Sequence, residues 1–325
     1  MTRQTHIYPL EAPEAQERWE ALRAVSPQRC AFAALPYARA AADATGLPCE
    51  VVFVEDAGRD EAGALIFRRK RGPYHEGVVP PFTAFTPLLF RASPGEAAIH
   101  ARSSAFEAIL GALEARLDVA RLHLPPTLPD VRPAQWRGWS AAPLYTYRLA
   151  LAEEPALTAR WSGGARRTFR KARGRYRVLA DAPEASSVVE LLAERYAERG
   201  RALPLPPDNL VPFIERMREE KLVRIFTATP TGGASPEAAV AILHDGHTAH
   251  YWVAGSRPGP AMTVLLGEML PRLHADGLTT FDFVGANTPS IAEFKRRFSP
   301  TLTPYFRLEK IRPRALRVLY SLKRV

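Results

Sequence analysis

Apolar and polar residues alternate along this 325-residue chain in patterns typical of helices and strands. In the first half, helical spacing of apolar residues predicts helices over about 13–25, 35–45 and 95–117. Short apolar runs there predict strands over 50–56, 63–71, 119–124 and 144–151. In the second half the same patterns predict helices over about 183–199, 208–220, 261–275 and 289–298. They predict strands there over 222–229, 238–245, 247–255, 279–284 and 304–310.

The order of these elements repeats along the chain. Two helices, a β-meander, a further helix and closing strands occur once in each half. Alternation of this kind predicts an α/β fold with mixed sheets, built from two fused units with a cleft between them. We expect the units to span 1–152 and 153–312, followed by a basic helix over 313–325.

Composition narrows the class of protein. Apolar residues make up 46% of the chain and charged residues 24%, which is typical of a folded globular protein. No apolar run reaches the ~18 residues of a transmembrane helix, and the first residues do not form a signal peptide, so we expect a cytoplasmic protein with no transmembrane segment. Cys30 and Cys49 are too few for a disulfide framework and are expected to behave as small apolar residues.

Positive charge is concentrated in two stretches. The net charge is +10, and eight basic residues without an acidic one lie between positions 155 and 180. Six more follow Glu309, again without an acid. Such local charge predicts an anionic partner.

The segment FDFVGANTPSIAEFKRRF, residues 281–298, predicts a strand, a turn and a helix. Thr288-Pro289 and Ser290 with Glu293 both signal the start of the helix. Lys295 lies inside the apolar stripe of that helix, so its ammonium must reach solvent, pair with a carboxylate such as Asp282, or face an anion in a cleft. Asp282 itself either caps the neighbouring loop or pairs with Lys295.

Two further segments carry candidate anion sites. Ser256, Arg257 and Gly259 precede the helix predicted over 261–275, whose free N–H groups suit a phosphate. Pro271 is expected to kink that helix, with Gly267 making room near the clash. Arg166, Phe169, Arg170 and Arg173 are predicted to share one face of a short basic helix, which is a solvated face or an anion site.

A metal site is not expected. His244, His247 and His250 lie around the hairpin turn Asp245-Gly246, where His244 and His247 would face each other. His250 points to the opposite face, and no third ligand is evident, so these residues predict a polar turn rather than zinc.

Several motifs taken together resemble the FemAB-like branch of the GNAT acyltransferases. They are RRTFRKA, YWVAGS, FDFVGAN and EFKRRF, in this order. The resemblance covers about 161–310 and is faint over 1–150, where it rests on element order and on VVPPFTAFTP. It implies two fused GNAT-like units that transfer an acyl group from a thioester, or an aminoacyl group from an aminoacyl-tRNA, to an amine without a covalent enzyme intermediate.

The resemblance also implies roles for particular residues. Phe294 and Lys295 match the family's FK segment and would position the donor and stabilise the developing oxyanion, with Asp282 as the second candidate catalytic residue. Arg257, Gly259 and Met262 would meet the pyrophosphate of coenzyme A, in a loop one residue shorter than the usual GNAT pattern. The residues expected to bind the substrate are Arg166, Arg167, Arg170, Tyr251, Phe294 and Asn287.

We therefore expect an acyltransferase that uses acyl-CoA as co-substrate, without a metal, to acylate an amine of a small-molecule or cell-envelope-precursor substrate. One alternative is a tRNA-dependent aminoacyl transferase acting on peptidoglycan precursor, in which nucleic acid enters only as the donor. The absence of sustained heptads disfavours the long coiled coil that some members carry. The other alternative is a non-catalytic protein that binds nucleic acid or an anionic membrane.

Overall fold

A computed structural model describes residues 3–92, 97–182, 184–313 and 316. Two compact units are present: Met1–Leu144 with Pro304–Val325, and Tyr145–Thr303. This division falls before the predicted boundary at 152/153 and places most of the last strand with the first unit, while the domain ranges themselves stay a prediction. The basic helix predicted over 313–325 lies outside the described residues, except for Pro313 and Leu316.

The first half of the chain contains the following elements: β1 (Gln4–Pro9), α1 (Pro13–Val25), α2 (Leu35–Thr45), β2 (Cys49–Asp56), β3 (Arg59–Arg71), β4 (Tyr74–Val78), β5 (Leu88–Phe90), α3 (Ala97–Arg116), β6 (Val119–Leu124), α4 (Arg132–Trp136) and β7 (Ser140–Ala150). The second half contains α5 (Ala156–Ala159), α6 (Gly163–Ala172), β8 (Tyr176–Ala180), α7 (Ser186–Ala197), α8 (Pro207–Glu219), β9 (Val223–Pro230), β10 (Ala238–His244), β11 (Thr248–Ser256), α9 (Ala261–Ala275), β12 (Thr280–Asp282), α10 (Pro289–Arg296) and β13 (Thr301–Ile311).

The predicted mixed α/β architecture is confirmed, and each predicted helix and strand within the described residues is present with small shifts at its ends. Six of the described elements were not predicted: β1, β4, β5, α4, α5 and β8. Strand β8 lies within the basic stretch, and Arg177 and Leu179 on one of its faces are exposed. An edge strand of this kind has only a weak apolar signal, because one of its faces meets water.

The first unit is built on strands in the order β1-β2-β3-β4-β6-β13, with β5 paired to β3. Helix α3 contributes Ile109, Leu110 and Leu113 to the core on one face of this sheet. Cys49 is buried, and burial raises the pKa of its thiol, whereas Cys30 is half-buried. Neither cysteine forms a disulfide.

The second unit is built on strands in the order β7-β12-β11-β10-β9-β8. Its neighbouring strands are antiparallel except for β11 and β12, which run parallel. Helix α9 is the most buried helix of this unit and lies over the sheet, with Leu265, Leu266 and Met269 fully enclosed.

Gly267 lets two helices approach closely. A Cβ atom at this position would lie 2.3 Å from Cε2 of Phe169, a side chain of α6. Such a contact is far inside van der Waals distance, so α6 and α9 pack at this distance only because residue 267 has no side chain. The glycine was predicted to relieve a clash with Pro271; the structure shows the Phe169 ring against it instead, and α9 continues through Pro271 to Ala275.

Candidate functional site

Two parallel strands separate in the second unit. The pairing of β11 with β12 covers Thr248–His250 and Thr280–Asp282, after which β12 ends while β11 continues to Ser256. The edge of β11 from Tyr251 onward therefore has no partner from β12. On its other edge, β11 contains a β-bulge at Trp252, because Ala241 pairs with Val253 and Ile242 with Tyr251. Openings at the carboxyl ends of parallel strands are frequent ligand sites, and bulges occur often beside active sites.

Aromatic side chains line this opening. The Tyr251 ring centroid lies 6.0 Å from that of Phe283 and 6.2 Å from that of Phe281. Phe294 and Phe298 of the following segment are 5.2 Å apart, and Phe298 stacks on Phe283 at 5.9 Å. The predicted stripe on α10 is thus confirmed as an apolar face, with Arg296 and Arg297 exposed on the opposite side.

Lys295 lies within this aromatic cluster and is 5% exposed. Its Nζ donates hydrogen bonds to the carbonyl oxygens of Phe283 at 2.6 Å, Val284 at 3.0 Å and Gly285 at 2.8 Å. Nζ also lies 5.6 Å from the centroid of the Tyr251 ring. Burial lowers the pKa of Lys295 to about 8, and the charge of Asp282 opposes this shift. An ammonium has three N–H donors, and all three are used by these carbonyls.

Asp282, the last residue of β12, caps the turn that contains Phe283, Val284 and Gly285. Its carboxylate is 1% exposed, accepts a hydrogen bond from the Val284 backbone N–H at 2.9 Å and accepts another from Thr146 Oγ1 at 2.5 Å. Arg148 Nε lies 3.6 Å from Oδ2. Of the two alternatives for Asp282, the structure favours the cap: its closest cationic group within the described ranges is Arg148 rather than Lys295.

The side chain of Asn287 forms hydrogen bonds with the backbone of Tyr145. Its Oδ1 accepts from the Tyr145 backbone N–H at 2.8 Å, and its Nδ2 donates to the Tyr145 carbonyl at 3.2 Å. This paired contact ties the residues before α10 to β7. The helix itself begins as predicted at Thr288-Pro289, whereas the capping box expected at Ser290 is absent, since Ser290 lies inside the first turn.

The loop before α9 carries the predicted donor-binding residues. Gly259 has a φ of 144°, and a Cβ atom there would meet no atom within 4 Å. Met262 is 4% exposed, and its sulfur accepts a hydrogen bond from the Tyr251 hydroxyl at 3.3 Å. Burial raises the pKa of Tyr251, so this hydroxyl stays protonated at neutral pH.

Arg257, which was predicted to meet the pyrophosphate of coenzyme A, forms an ion pair within the protein. Its guanidinium donates to both carboxylate oxygens of Glu194 on α7, at 2.9 Å and 3.1 Å. This contact lowers the pKa of Glu194. Both side chains are exposed, so the pair is weak, and a phosphate could compete for the guanidinium.

The basic helix α6 borders a groove of about 410 Å³, hereafter the arginine groove. The residues that line it are Glu154, Pro155, Thr158, Ala159, Arg166, Phe169, Arg170 and Arg173. The predicted shared face of Arg166, Phe169, Arg170 and Arg173 is therefore confirmed. Arg173 lies 3.4 Å from Glu268 and 3.9 Å from Glu154, and Arg166 donates to the Ala159 carbonyl at 3.3 Å.

Arg167 does not line the arginine groove. It lies on the exposed side of α6 with Lys171, and Arg177 on β8 is exposed as well. Arg167, Arg170, Lys171 and Arg177 form no ion pair with any residue that the structure describes. Ser162 caps the start of the helix, accepting from the Ala165 backbone N–H at 3.3 Å.

The described residues contain neither a metal-binding cluster nor a membrane-spanning helix. Across the described residues, no three or more His, Cys, Asp or Glu side chains are grouped so as to hold a metal ion. His244 and His250 lie on paired strands, and burial lowers the pKa of both. None of the described helices has the length and apolar character needed to cross a bilayer.

Sequence reasoning did not find the partners that give these residues their geometry. It did not identify Thr146 and Arg148 beside Asp282, Glu194 beside Arg257, or the bulge at Trp252. The first three are remote along the chain from their partners, so no local pattern indicates them. The bulge interrupts an alternating strand by a single residue, which apolar periodicity does not resolve.

Comparisons with known proteins agree with the fold. Residues 159–296 match the family described as acetyltransferase (GNAT) domain. The crystal structure of FemX superposes with a TM-score of 0.70 at 11% identity, over 94% of this chain and 97% of that chain.

Two further solved structures are similar. The C-terminal domain of a putative lysylphosphatidylglycerol synthetase from Agrobacterium fabrum has a TM-score of 0.55 at 14% identity, over 95% of each chain. A tandem GNAT protein from the clavulanic acid biosynthesis pathway has a TM-score of 0.53 at 13% identity, over 95% of this chain and 99% of that chain. No curated protein sequence matches.

Proposed function

We propose that this chain is an N-acyltransferase of the GNAT superfamily with a FemAB-like tandem fold, and that it transfers an acyl group from acyl-CoA to an amine. In the reaction the amine nitrogen attacks the thioester carbonyl, a C–N bond forms and the C–S bond breaks. The amine loses a proton, and the departing sulfur takes one up to become the CoA thiol. No covalent bond to the enzyme is needed.

The observation that carries this proposal is the separation of β11 from β12 within the region that matches the GNAT domain. An acyl-CoA carries amide groups along its pantetheine arm, and these would pair with the unpartnered edge of β11 beyond Tyr251. The thioester would then lie among Tyr251, Phe281 and Phe283, where water is excluded and electrostatic interactions are strong.

The donor's pyrophosphate is assigned to the loop before α9. The N–H groups at the start of this 15-residue helix and the open space around Gly259 suit an anion. Arg257 would exchange Glu194 for a phosphate. The Tyr251 hydroxyl donates to the weakly accepting Met262 sulfur, and an oxygen of the acyl donor bound near Met262 would be a stronger acceptor for it.

The acceptor is assigned to the arginine groove, with Arg166 and Arg170 as its anion-binding residues. A groove with this charge favours an amine substrate that also carries a negative group, such as a small phosphorylated molecule or a cell-envelope precursor. Arg167 would contribute to the surrounding positive field rather than to a direct contact.

A calorimetric titration with acetyl-CoA tests the donor assignment. We expect saturable binding whose affinity depends only modestly on salt, and release of free CoA thiol when an amine acceptor is supplied. Arg296→Gln is the matched control, because Arg296 is an exposed arginine paired with Glu293 and lies outside the donor loop. Absence of binding at about 1 mM acetyl-CoA, a concentration typical of weak enzyme substrates, would remove acyl-CoA as the donor.

The second candidate is a tRNA-dependent aminoacyl transferase. The observation in its favour is the exposed basic surface of Arg167, Lys171 and Arg177, which form no ion pair with any described residue. An RNA donor predicts an affinity that falls steeply with salt, with a slope set by the number of phosphate contacts. Strong, salt-dependent binding of an aminoacyl-tRNA together with no acetyl-CoA binding would favour this function.

A further inference from the structure

The turn between β12 and α10 has a backbone that its sequence does not favour. Val284 has a φ of 50° and Gly285 a φ of 81°. Glycine adopts this left-handed region freely, but a β-branched residue such as valine does so only at a cost. Strain of this kind persists where surrounding contacts hold the backbone in place, and it is concentrated at functional sites.

The backbone N–H groups at the start of this turn donate to protein acceptors. The Phe283 N–H donates to the Tyr147 carbonyl at 2.8 Å and the Val284 N–H to Asp282 at 2.9 Å. The Gly285 N–H donates to Thr146 Oγ1 at 3.2 Å and the Ala286 N–H to the Tyr145 carbonyl at 2.7 Å. These four N–H groups are therefore not available to a ligand.

The three carbonyls of the turn converge on one cation. Carbonyl oxygens that converge on one point repel one another, and a positively charged donor at that point offsets the repulsion. The Lys295 ammonium supplies that charge from α10, and its three N–H groups match the three oxygens one to one. Because the lysine pKa remains at about 8 despite burial, the amine is protonated at neutral pH.

The turn begins where the parallel strands part. Asp282 is the last residue of β12 to pair with β11, opposite His250, and Phe283 follows it at once. The Phe283 ring faces Tyr251, so the conformation of the turn determines the direction in which β12 leaves β11 and the position of an aromatic wall of the opening.

We infer that Lys295 is a positioning residue: it clamps the strained Phe283–Gly285 turn and so holds open the slot between β11 and β12, and it does not donate a hydrogen bond to the reacting carbonyl. The relevance of the slot to catalysis rests on the proposed function. The clamp itself rests on the contacts above.

Two substitutions separate the contribution of the Lys295 hydrogen bonds from that of the backbone strain at Val284. Lys295→Met deletes the ammonium, and Val284→Gly removes the penalty of the left-handed valine. The matched control is Lys221→Gly, because Lys221 also has a left-handed φ, 57°, but is exposed at the end of α8, outside the turn. The variants are Lys295→Met alone, Lys295→Met with Val284→Gly, and Lys295→Met with Lys221→Gly.

Four measurements are made on each variant: the melting temperature, the hydrogen exchange of amides 284–286, the Kd for acetyl-CoA and the turnover, followed as release of CoA thiol in the presence of an amine acceptor. We expect Lys295→Met to lower the melting temperature by about 5 °C or more and to expose these amides to exchange. Its Kd for acetyl-CoA rises about tenfold or more. Adding Val284→Gly recovers a large part of the protection and the affinity, whereas Lys221→Gly restores neither.

A lysine that hydrogen-bonds the oxyanion gives a different result. Such a contact forms only in the transition state, so Lys295→Met would lower kcat by about 10² while leaving the acetyl-CoA Kd and the exchange of amides 284–286 unchanged. This outcome overturns the inference. A second outcome also overturns it: Lys295→Met with Val284→Gly regains the protection of amides 284–286 against exchange but not its turnover. If Lys295→Met does not fold, Lys295→Gln, whose amide still donates to two carbonyls, takes its place with the same criteria.

Failure of the proposed function is distinguishable from failure of the clamp. If the wild-type protein does not bind acetyl-CoA, the donor assignment fails. The melting temperature and the exchange of amides 284–286 still decide whether Lys295 holds the turn.

Discussion

Two cationic regions of the second unit differ in how much of their hydrogen-bonding capacity the protein itself uses. On α10, Lys295 is buried and gives all three of its donors to backbone carbonyls. On α6, Arg167 and Arg170 are exposed and give none to any described acidic residue. A buried charge in a cleft is therefore not by itself a sign of ligand binding. Donors that remain unused are the better indication.

The largest effect is expected on stability, from the buried cation. Lys295→Met leaves three carbonyls without a partner, each costing ~1–3 kcal/mol, so the free energy of unfolding should fall by ~3 kcal/mol or more. Arg170→Met, the matched change on α6, should alter it by no more than ~0.5 kcal/mol. Urea denaturation of both variants measures the difference. If Lys295→Met and Arg170→Met have the same free energy of unfolding, the buried lysine contributes no more to stability than the exposed arginine, and the proposed difference between the two regions is wrong.

For ligand binding, the larger effect is expected from the exposed arginines of α6. Replacing both Arg166 and Arg170 by Gln removes charge-assisted contacts of ~1.5–3 kcal/mol each, so the affinity for an anionic probe such as inorganic pyrophosphate should fall at least tenfold. Arg296→Gln serves as the control, since Arg296 is paired with Glu293. An unchanged Kd in the double variant would show that the basic face of α6 is a solvated surface and does not bind anions.

A comparable effect on binding, at a single residue, is expected at the donor loop. Gly259→Val introduces a side chain where the φ of 144° suits glycine, and fills the space assigned to the pyrophosphate. We expect the acetyl-CoA Kd to rise about tenfold or more, with a backbone cost of ~1–3 kcal/mol in stability. Gly277→Val, at a φ of 89° in the turn after α9, should carry a similar backbone cost without the loss of affinity. Wild-type affinity in Gly259→Val would contradict the donor assignment.

The smallest effect concerns pH. His250 is buried and its pKa lies below the ordinary 6.5, because burial disfavours the charged form. The unfolded chain therefore takes up a proton before the folded one as the pH falls, and stability declines below about pH 6.5. The loss from one such histidine between pH 7 and pH 6 should be under about 1 kcal/mol. Chemical denaturation of wild type and His250→Gln at both pH values measures it, and an equal decline in both would exclude His250 as the source.

Local features of the fold could be predicted from the sequence. Helix α9 has the predicted bounds, because its apolar residues recur at helical spacing over the whole segment. The start of α10 at Thr288-Pro289 was indicated because proline suits the first turn of a helix. The shared face of Arg166 and Arg170 follows from a spacing of four residues.

The site could be predicted only as a set of candidates. That Lys295 lies in an apolar stripe is visible in the sequence, but the turn geometry determines which three carbonyls accept its hydrogen bonds. The ion pair of Arg257 with Glu194 joins α7 to the loop before α9, and the contact of Asp282 with Thr146 joins β12 to β7. Such partners depend on how strands and helices pack, which periodicity along one segment does not encode.

The contact between Gly267 and Phe169 constrains how this protein can diverge. The Phe169 ring occupies the space that a side chain at position 267 would need, so even a methyl group does not fit at position 267. In relatives of this chain, positions 169 and 267 should therefore vary together, a larger residue at 267 being accompanied by a smaller one at 169. Because Phe169 sits between Arg166 and Arg170 in the arginine groove, a compensated exchange of this pair would also reshape the groove, giving descendants a route to new acceptors that leaves both arginines in place.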